Sequence, residues 1–300
     1  MFVKYSLDDG SGRVGLIEKI GRPSVYLDHW ALNDIALTPS YRQKFTSIMN
    51  SRKGTLRLSM NNLSELMNQT DQQQILSILD MIDTIDTGFI NTDFNDVVNR
   101  ENDLLSGKVH NENPSIELRI IYTHLLAQNW PESWVVSDVI RAILNNSSEG
   151  QQRESWDRLA KSMKVFLDST RSDAKYISES KDSAKAIRKK RKQYDRPTRE
   201  LIQLGLYFVF QNKDMRMDSN EWQDFFHAIV PVAYCDFVLL DKRWTNFISQ
   251  TGFSFPDVAF VFDRRSIHDF FSKLELETAG LPDHESEPTP YQQNSKDVGL

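Results

Sequence analysis

Two stretches that alternate short apolar strands with helices lie far apart in this chain, and a long helical stretch separates them. In residues 22–70, SVYLDHW is short, apolar and β-rich, and Ala31 to Ala36 then turns helical before Pro39. Thr55-Leu56-Arg57-Leu58-Ser59-Met60 alternates as a strand does, and Asn61 or Asn62 is placed to cap a helix carrying Leu63, Glu65, Leu66 and Met67. Residues 213–271 return to the same grammar. Ser219 or Asn220 caps EWQDFFHAIV, VAYCDFVLL reads as a strand and KRWTNFISQ as a helix. DVAFVF is a further strand and SIHDFFSKLEL a last helix. Alternation of this kind favours a mostly parallel sheet with helices on its faces, because a parallel crossover usually carries a helix.

Between the two runs, the pattern of residues 71–212 is helical. Asp71 is an N-cap candidate for QQQILSILDMI, Pro114 opens IELRIIYTHLLAQ, and Pro131 opens ESWVVSDVIRAIL. Pro197 precedes the nearly continuous apolar run in TRELIQLGLYFVF, which suggests a buried helix. Only GFIN at 88–91 has strand character there. The expected organisation is an α/β core whose first half is 1–70 and second half 213–277, split by a helical insertion at 71–212. Residues 278–300, rich in Pro, Ser, Gln and acids, are expected to be disordered.

A chain of 300 residues with 39% hydrophobic content can bury a substantial core. Its single cysteine, Cys235, excludes an intrachain disulfide and a thiolate zinc cluster within one chain. No stretch approaches the length of a membrane span, and MFVKYSLDDGSG lacks the pattern of a secretory leader, so a cytoplasmic protein is expected. The net charge of −6 argues against a uniformly nucleic-acid-binding surface. Charge is unevenly spread, however. The segment from Lys181 to Arg199 is basic, and Lys181, Lys185, Arg188 and Lys192 recur at helical spacing, with Lys189 beside them. On a helix that face could follow a phosphate backbone, or be simply a solvated surface.

The chemistry resides in acids placed at strand ends and on helices. Asp28 ends the apolar run Ser24-Val25-Tyr26-Leu27, Glu65 follows the second strand, and Asp224 and Asp236 lie in the distal α/β run. Gathering carboxylates raises their pKa values unless a cation neutralises them, so such a group points to a hard divalent metal. Taken singly, each acid has an ordinary reading as a cap or a first-turn charge. Widely scattered histidines give no HExxH pattern, and no GxxxxGK[ST], GxGxxG or GxSxG element is present. His29 follows Asp28 and would point to the opposite side of a strand. Cys235 in its apolar run reads as a small core residue, and Trp222 and Trp244, beside Phe225, Phe226 and Phe247, read as packing residues.

At these residues a family resemblance emerges. VYLDHWALNDIA resembles the first strand of PIN-domain nucleases, NNLSEL resembles the helix that carries their glutamate, and SNEWQDFFHAIVPVAYCDFVLLDKRW resembles their distal half. The resemblance covers roughly the first 70 and last 90 residues. It implies a PIN-like (Rossmann-like) fold and a catalytic set of Asp28, Glu65, Asp224 and Asp236. Asp241 is implied as a further metal ligand at the strand end, with Asn33 or Asp34 near the rim. It also implies Mg²⁺ or Mn²⁺ as cofactor, a two-metal-ion mechanism, and products with a 5′-phosphate and a 3′-hydroxyl. Val238-Leu239-Leu240-Asp241 departs from the family in lacking a Thr, Ser or Asn shortly before the final acid.

The function expected is that of a metal-dependent nuclease, an endoribonuclease acting on RNA or single-stranded nucleic acid, in the manner of a toxin or defence effector. Lys185, Arg188, Lys189 and Lys192 are its expected substrate-binding residues, and the helical insertion could also dock a regulatory protein partner. The alternative is a non-catalytic nucleic-acid-binding or protein-interaction module on a degenerate PIN-like fold.

Overall fold

The computed structural model describes residues 3–7, 14–18, 20–106, 137–138, 140–141, 149–190, 198–212 and 214–277. The helix expected after Pro114, most of the helix expected after Pro131, the segment holding Lys192, and the tail 278–300 lie outside the described residues; Ser137, Asp138, Ile140 and Arg141 of the second are helical. An antiparallel pair, β1 (Val3–Leu7) and β2 (Val14–Glu18), precedes the core. Neither strand was read from the sequence.

The core is a five-stranded parallel sheet of β3 (Ser24–Leu27), β4 (Thr55–Leu58), β5 (Asp86–Phe89), β6 (Phe237–Leu239) and β7 (Phe260–Phe262). Its spatial order is β5-β4-β3-β6-β7. The central strand β3 pairs with both halves of the chain: Val25 faces Leu56 on one side and Phe237 on the other. Every residue of β3, β4 and β6 is buried, as befits strands covered on both faces. The sheet extends beyond residue 70, because β5 pairs with β4 through Thr55 to Leu58. Helix α4 (Gln72–Asp83), capped by Asp71 as expected, is the crossover that returns the chain to β5.

Side chains alternate across the sheet into two apolar layers. Val25, Leu27, Phe237 and Leu239 point into one, under α1 (His29–Leu37), α2 (Pro39–Arg52), α4 and the last helix, α11 (Ile267–Glu277). Tyr26 and Val238 point into the other. That second layer is filled by α6 (Glu149–Ser172), α7 (Ala174–Lys190), α8 (Thr198–Gln211), α9 (Ser219–Tyr234) and α10 (Lys242–Thr251), with α5 (Phe94–Leu105) at its side. Trp222 and Trp244 are buried there, as expected. The inserted helices therefore form one face of the sheet's own core rather than a separate body. Gly205 of α8 permits their close approach, since an added Cβ would collide with the Phe225 ring of α9. Among the described residues no helix is long and apolar enough to cross a membrane.

Local details differ from the sequence reading in instructive ways. Helix α3 (Met60–Met67) is capped by Ser59, whose hydroxyl accepts from the Asn62 backbone, while Asn62 caps back onto Ser59. Asn61 and Asn62 thus sit inside the helix. Helix α9 is capped by Asp218 and not by Ser219 or Asn220. It also continues through Pro231 to Tyr234, so the strand expected over VAYCDFVLL shrinks to Phe237–Leu239. Cys235 ends that helix as a buried core residue, its thiol pushed up to about 12 by burial.

Candidate functional site

In a parallel sheet whose strand order reverses, the crevice at the carboxyl ends of the two strands flanking the reversal is the usual binding site. Here the reversal falls between β3 and β6. Asp28 follows β3 and caps α1, its carboxylate accepting from the His29 backbone N–H at 2.9 Å. Asp241 follows β6 after Leu240 and stands at the N-cap of α10. The two strand ends are stitched together by the Asp28 N–H, which donates to the Leu239 carbonyl at 3.0 Å. Both carboxylates therefore occupy the same edge, each at the positive end of a helix.

Glu65 arrives on α3. That helix is held to the end of β3 by Asn62, whose side-chain N–H donates to the Leu27 carbonyl at 3.0 Å. Asp224 arrives on α9, tethered to its surroundings by an ion pair between Glu221 of α9 and Arg243 of α10. Asn61, on the helix of Glu65, is almost fully buried. It accepts from Gln223 of α9 through its carbonyl and hydrogen-bonds the Glu65 carboxylate.

Electrostatics ties the four acids into one cluster. Burial pushes Asp28 up to about 7, and the Asp241 charge adds to the rise. Glu65 is pushed to about 9 by burial, reinforced by the charges of Asp28, Asp224 and Asp241. Asp224 rises to about 7 through burial and then the charges of Asp28, Asp241 and Asp218. Asp241 is also raised by burial, against which the guanidinium of Arg264 acts. Burial raises all four, and the charges of neighbouring acids add to the rise at Asp28, Glu65 and Asp224, as expected for carboxylates gathered away from water.

Asp236 is the correction to the expected set. It precedes β6, so it sits at the amino end of the sheet, opposite the edge that bears Asp28 and Asp241. Its carboxylate accepts from the Ser24 backbone at 2.7 Å and the Ser24 hydroxyl at 2.9 Å, with Arg22 at 3.9 Å. These contacts join β3 to β6 at their starts. The fourth acid of the cluster is Asp241.

Several polar neighbours were missed by sequence reasoning. His29 is the first residue of α1, not a strand residue, and its Nδ1 lies 3.7 Å from Glu65 Oε2. Reading Asp28 as an N-cap would have put His29 on a helix. Arg264, distant in sequence, forms a bidentate pair with Asp34 at 2.9 and 3.0 Å and lies 5.1 Å over the Trp30 ring. Asp34 therefore carries a counter-ion of its own, whose charge also reaches Asp241. His227 is buried on the Asp224 helix, and burial lowers it to about 3, so it is a neutral packing residue at physiological pH.

The basic stripe lies on α7, whose Ala184 and Ile187 enter the second apolar layer. Lys181, Lys185 and Lys189 face solvent, Lys185 within 3.9 Å of Asp182. The Arg188 side chain and the whole of Lys192 fall outside the described residues.

The donor set suits a hard cation. All four acids offer oxygen, and Glu65 Oε2 is buried without a hydrogen-bond partner. Among the described residues no three His, Cys, Asp or Glu side chains already converge in ligating geometry. Mg²⁺ tolerates this, because it keeps several waters and takes one or two carboxylates directly. No family model matches the chain, nor does any curated protein or solved structure.

Proposed function

We propose that the protein is a metal-dependent nuclease with a PIN-like core, hydrolysing phosphodiester bonds in RNA or single-stranded nucleic acid. One observation carries this reading: Asp28, Glu65, Asp224 and Asp241, from four separate elements, share one electrostatic cluster at the strand reversal. A structural role gives no reason to gather four acids at such a cost in burial and repulsion.

These four residues would hold Mg²⁺ or Mn²⁺, which when bound supplies water activation and neutralises charge developing on the phosphate. The residues of the chain divide the remaining work. Asp28 and Asp241 are fixed by the strand ends, so their spacing is set by the sheet. Asn61 orients Glu65 and links it through Gln223 to the helix of Asp224. Arg264, paired with Asp34, offers a guanidinium to a substrate phosphate. In the reaction a water oxygen bonds to phosphorus, the bond from phosphorus to the 3′ oxygen breaks, and that oxygen takes a proton. The products are 5′-phosphate and 3′-hydroxyl ends.

The alternative, a non-catalytic interaction module on such a fold, has in its favour that no ligating cage is preformed among the described residues. Cleavage separates the two readings. Wild type, Asp28→Asn and Asp224→Asn are incubated with labelled single-stranded RNA and DNA in Mg²⁺, Mn²⁺ or EDTA. Metal-dependent cleavage that the folded variants lose supports the nuclease, whereas salt-sensitive binding without cleavage, unchanged by the substitutions, supports the module.

A further inference from the structure

The ring of His29 is held in one tautomer and aimed at the cluster. Its Nε2 lies 2.9 Å from the side-chain amide nitrogen of Asn33, a group that only donates, so Nε2 accepts and the ring hydrogen of the neutral imidazole belongs on Nδ1. The Asn33 amide is oriented independently: its nitrogen also donates to the His29 carbonyl at 3.1 Å, and its oxygen accepts from Gln69 at 3.1 Å. Gln69 is in turn bonded to Gln74. A relay running from α4 through Gln69 and Asn33 thus fixes the ring.

At the other end of the ring the relay is incomplete. His29 Nδ1 and Glu65 Oε2 are both buried without a hydrogen-bond partner, and they stand 3.7 Å apart, beyond hydrogen-bonding distance. Two orphaned, complementary polar atoms facing one another are costly in a buried place. A closure of less than about 1 Å would satisfy both. The remaining contact to Glu65, from Asn61, comes from its own helix and leaves Oε2 open.

We propose that His29 is the positioning residue of the metal site: its Nδ1–H closes onto Glu65 Oε2 when a divalent cation binds the acid cluster, fixing the carboxylate as a ligand. The proposal rests on the metal-site reading. A carboxylate that ligates a cation through one oxygen leaves the other free to accept, and the Nδ1–H contact to Oε2 is then a charge-assisted hydrogen bond. Asn33 sets the tautomer, as partners behind ligating groups commonly do.

The test titrates Mn²⁺ into metal-free protein and reads the dissociation constant by electron paramagnetic resonance, alongside cleavage at varied Mn²⁺. His29→Phe keeps a ring without the donor, and His29→Asn places an amide N–H where Nδ1 stood. Asn33→Ala removes the relay behind the ring. His29→Phe is expected to weaken Mn²⁺ by about 10- to 100-fold, Asn33→Ala by a smaller factor, and His29→Asn by only a few-fold. Cleavage at saturating Mn²⁺ should recover most of its rate. Melting temperatures in EDTA identify any variant that fails to fold, and Asn33→Ala then carries the test if His29→Phe does. Wild-type affinity in the folded His29→Phe and Asn33→Ala proteins overturns the proposal while leaving the metal site standing. Equal weakening in His29→Asn and His29→Phe also overturns it, since the donor would not matter. Wild-type protein that binds no Mn²⁺ at all overturns the metal-site reading itself, and the proposal with it.

Discussion

The backbone N–H of Asp28 donates to the Leu239 carbonyl at 3.0 Å, so the acid that follows one central strand is bonded to the end of its neighbour, two residues before Asp241. This contact crosses the strand reversal and joins the two halves of a core that are far apart in sequence. Around it the other acids assemble, and their burial and shared charge govern how the protein should respond to pH, to metal and to substitution.

Stability should depend on pH and on metal in a linked way. Asp28 and Asp224 rise to about 7 and Glu65 to about 9 in the folded protein, all above their unfolded values near 4. Between the unfolded and folded values the native state holds protons that the unfolded chain has released. The native state is then disfavoured as pH rises through about 4 to 9, so metal-free protein loses stability over that window. A cation that displaces those protons stabilises more at higher pH. Melting temperature measured with and without Mg²⁺ should therefore diverge from about pH 5.5 to about pH 8.5, with the metal-bound curve higher. A gap that does not widen with pH contradicts the cluster's electrostatics.

Asp236 and Asp241 should respond oppositely to the removal of their charge. Asp236→Asn weakens two buried contacts to Ser24 and is expected to cost about 1–3 kcal/mol while metal affinity persists. Asp241→Asn removes one of the repelling acids, so metal-free stability should hold or rise while metal affinity and cleavage fall by at least about tenfold. Chemical denaturation in EDTA paired with Mn²⁺ titration reads both quantities.

Lys181, Lys185 and Lys189 give the α7 face its charge, and their buried neighbours Ala184 and Ile187 keep that face turned outward. Replacing the three lysines by alanine should raise KM without changing kcat and leave folding intact. If they neutralise phosphates, the logarithmic salt dependence of binding should become shallower by about one unit for each lysine that does so. An unchanged slope assigns the stripe to solvent.

Gly205→Ala tests the role of the inserted helices in the core. The added methyl would meet the Phe225 ring, with Phe247 behind it. Overpacking of this kind costs about 1–3 kcal/mol. Because α9 carries Asp224, metal affinity should fall together with stability, as measured by denaturation and Mn²⁺ titration on the same sample.

Much of this architecture is legible in the residues. The strands at Ser24–Leu27 and Thr55–Leu58 are short apolar runs bounded by turn residues, and Asp71 caps its helix as its position suggests. Asp28, Glu65 and Asp224 follow from that reading. The fourth acid was harder to place because helix α9 and strand β6 form one apolar run from Phe225 to Leu240. Pro231 looks like the end of the helix, yet the helix continues through it to Tyr234. Starting the strand at Val232 put Asp236 inside it and in the catalytic set, whereas it stands just before the first residue of the strand, at the edge opposite Asp241. His29 and Arg264 were invisible for another reason. Their roles depend on which helices face one another, and that is decided by packing across the sheet and not by local pattern.

The most direct test is calorimetric titration of Mn²⁺ into metal-free wild type, Asp28→Asn, Glu65→Gln, Asp224→Asn, Asp241→Asn and Asp236→Asn, each checked for folding in EDTA. Wild type and Asp236→Asn should bind the ion, and each of the other four should bind it at least about tenfold more weakly. Absence of binding by wild type, or weakening in Asp236→Asn with full affinity in Asp241→Asn, would contradict a metal site built from the four clustered acids.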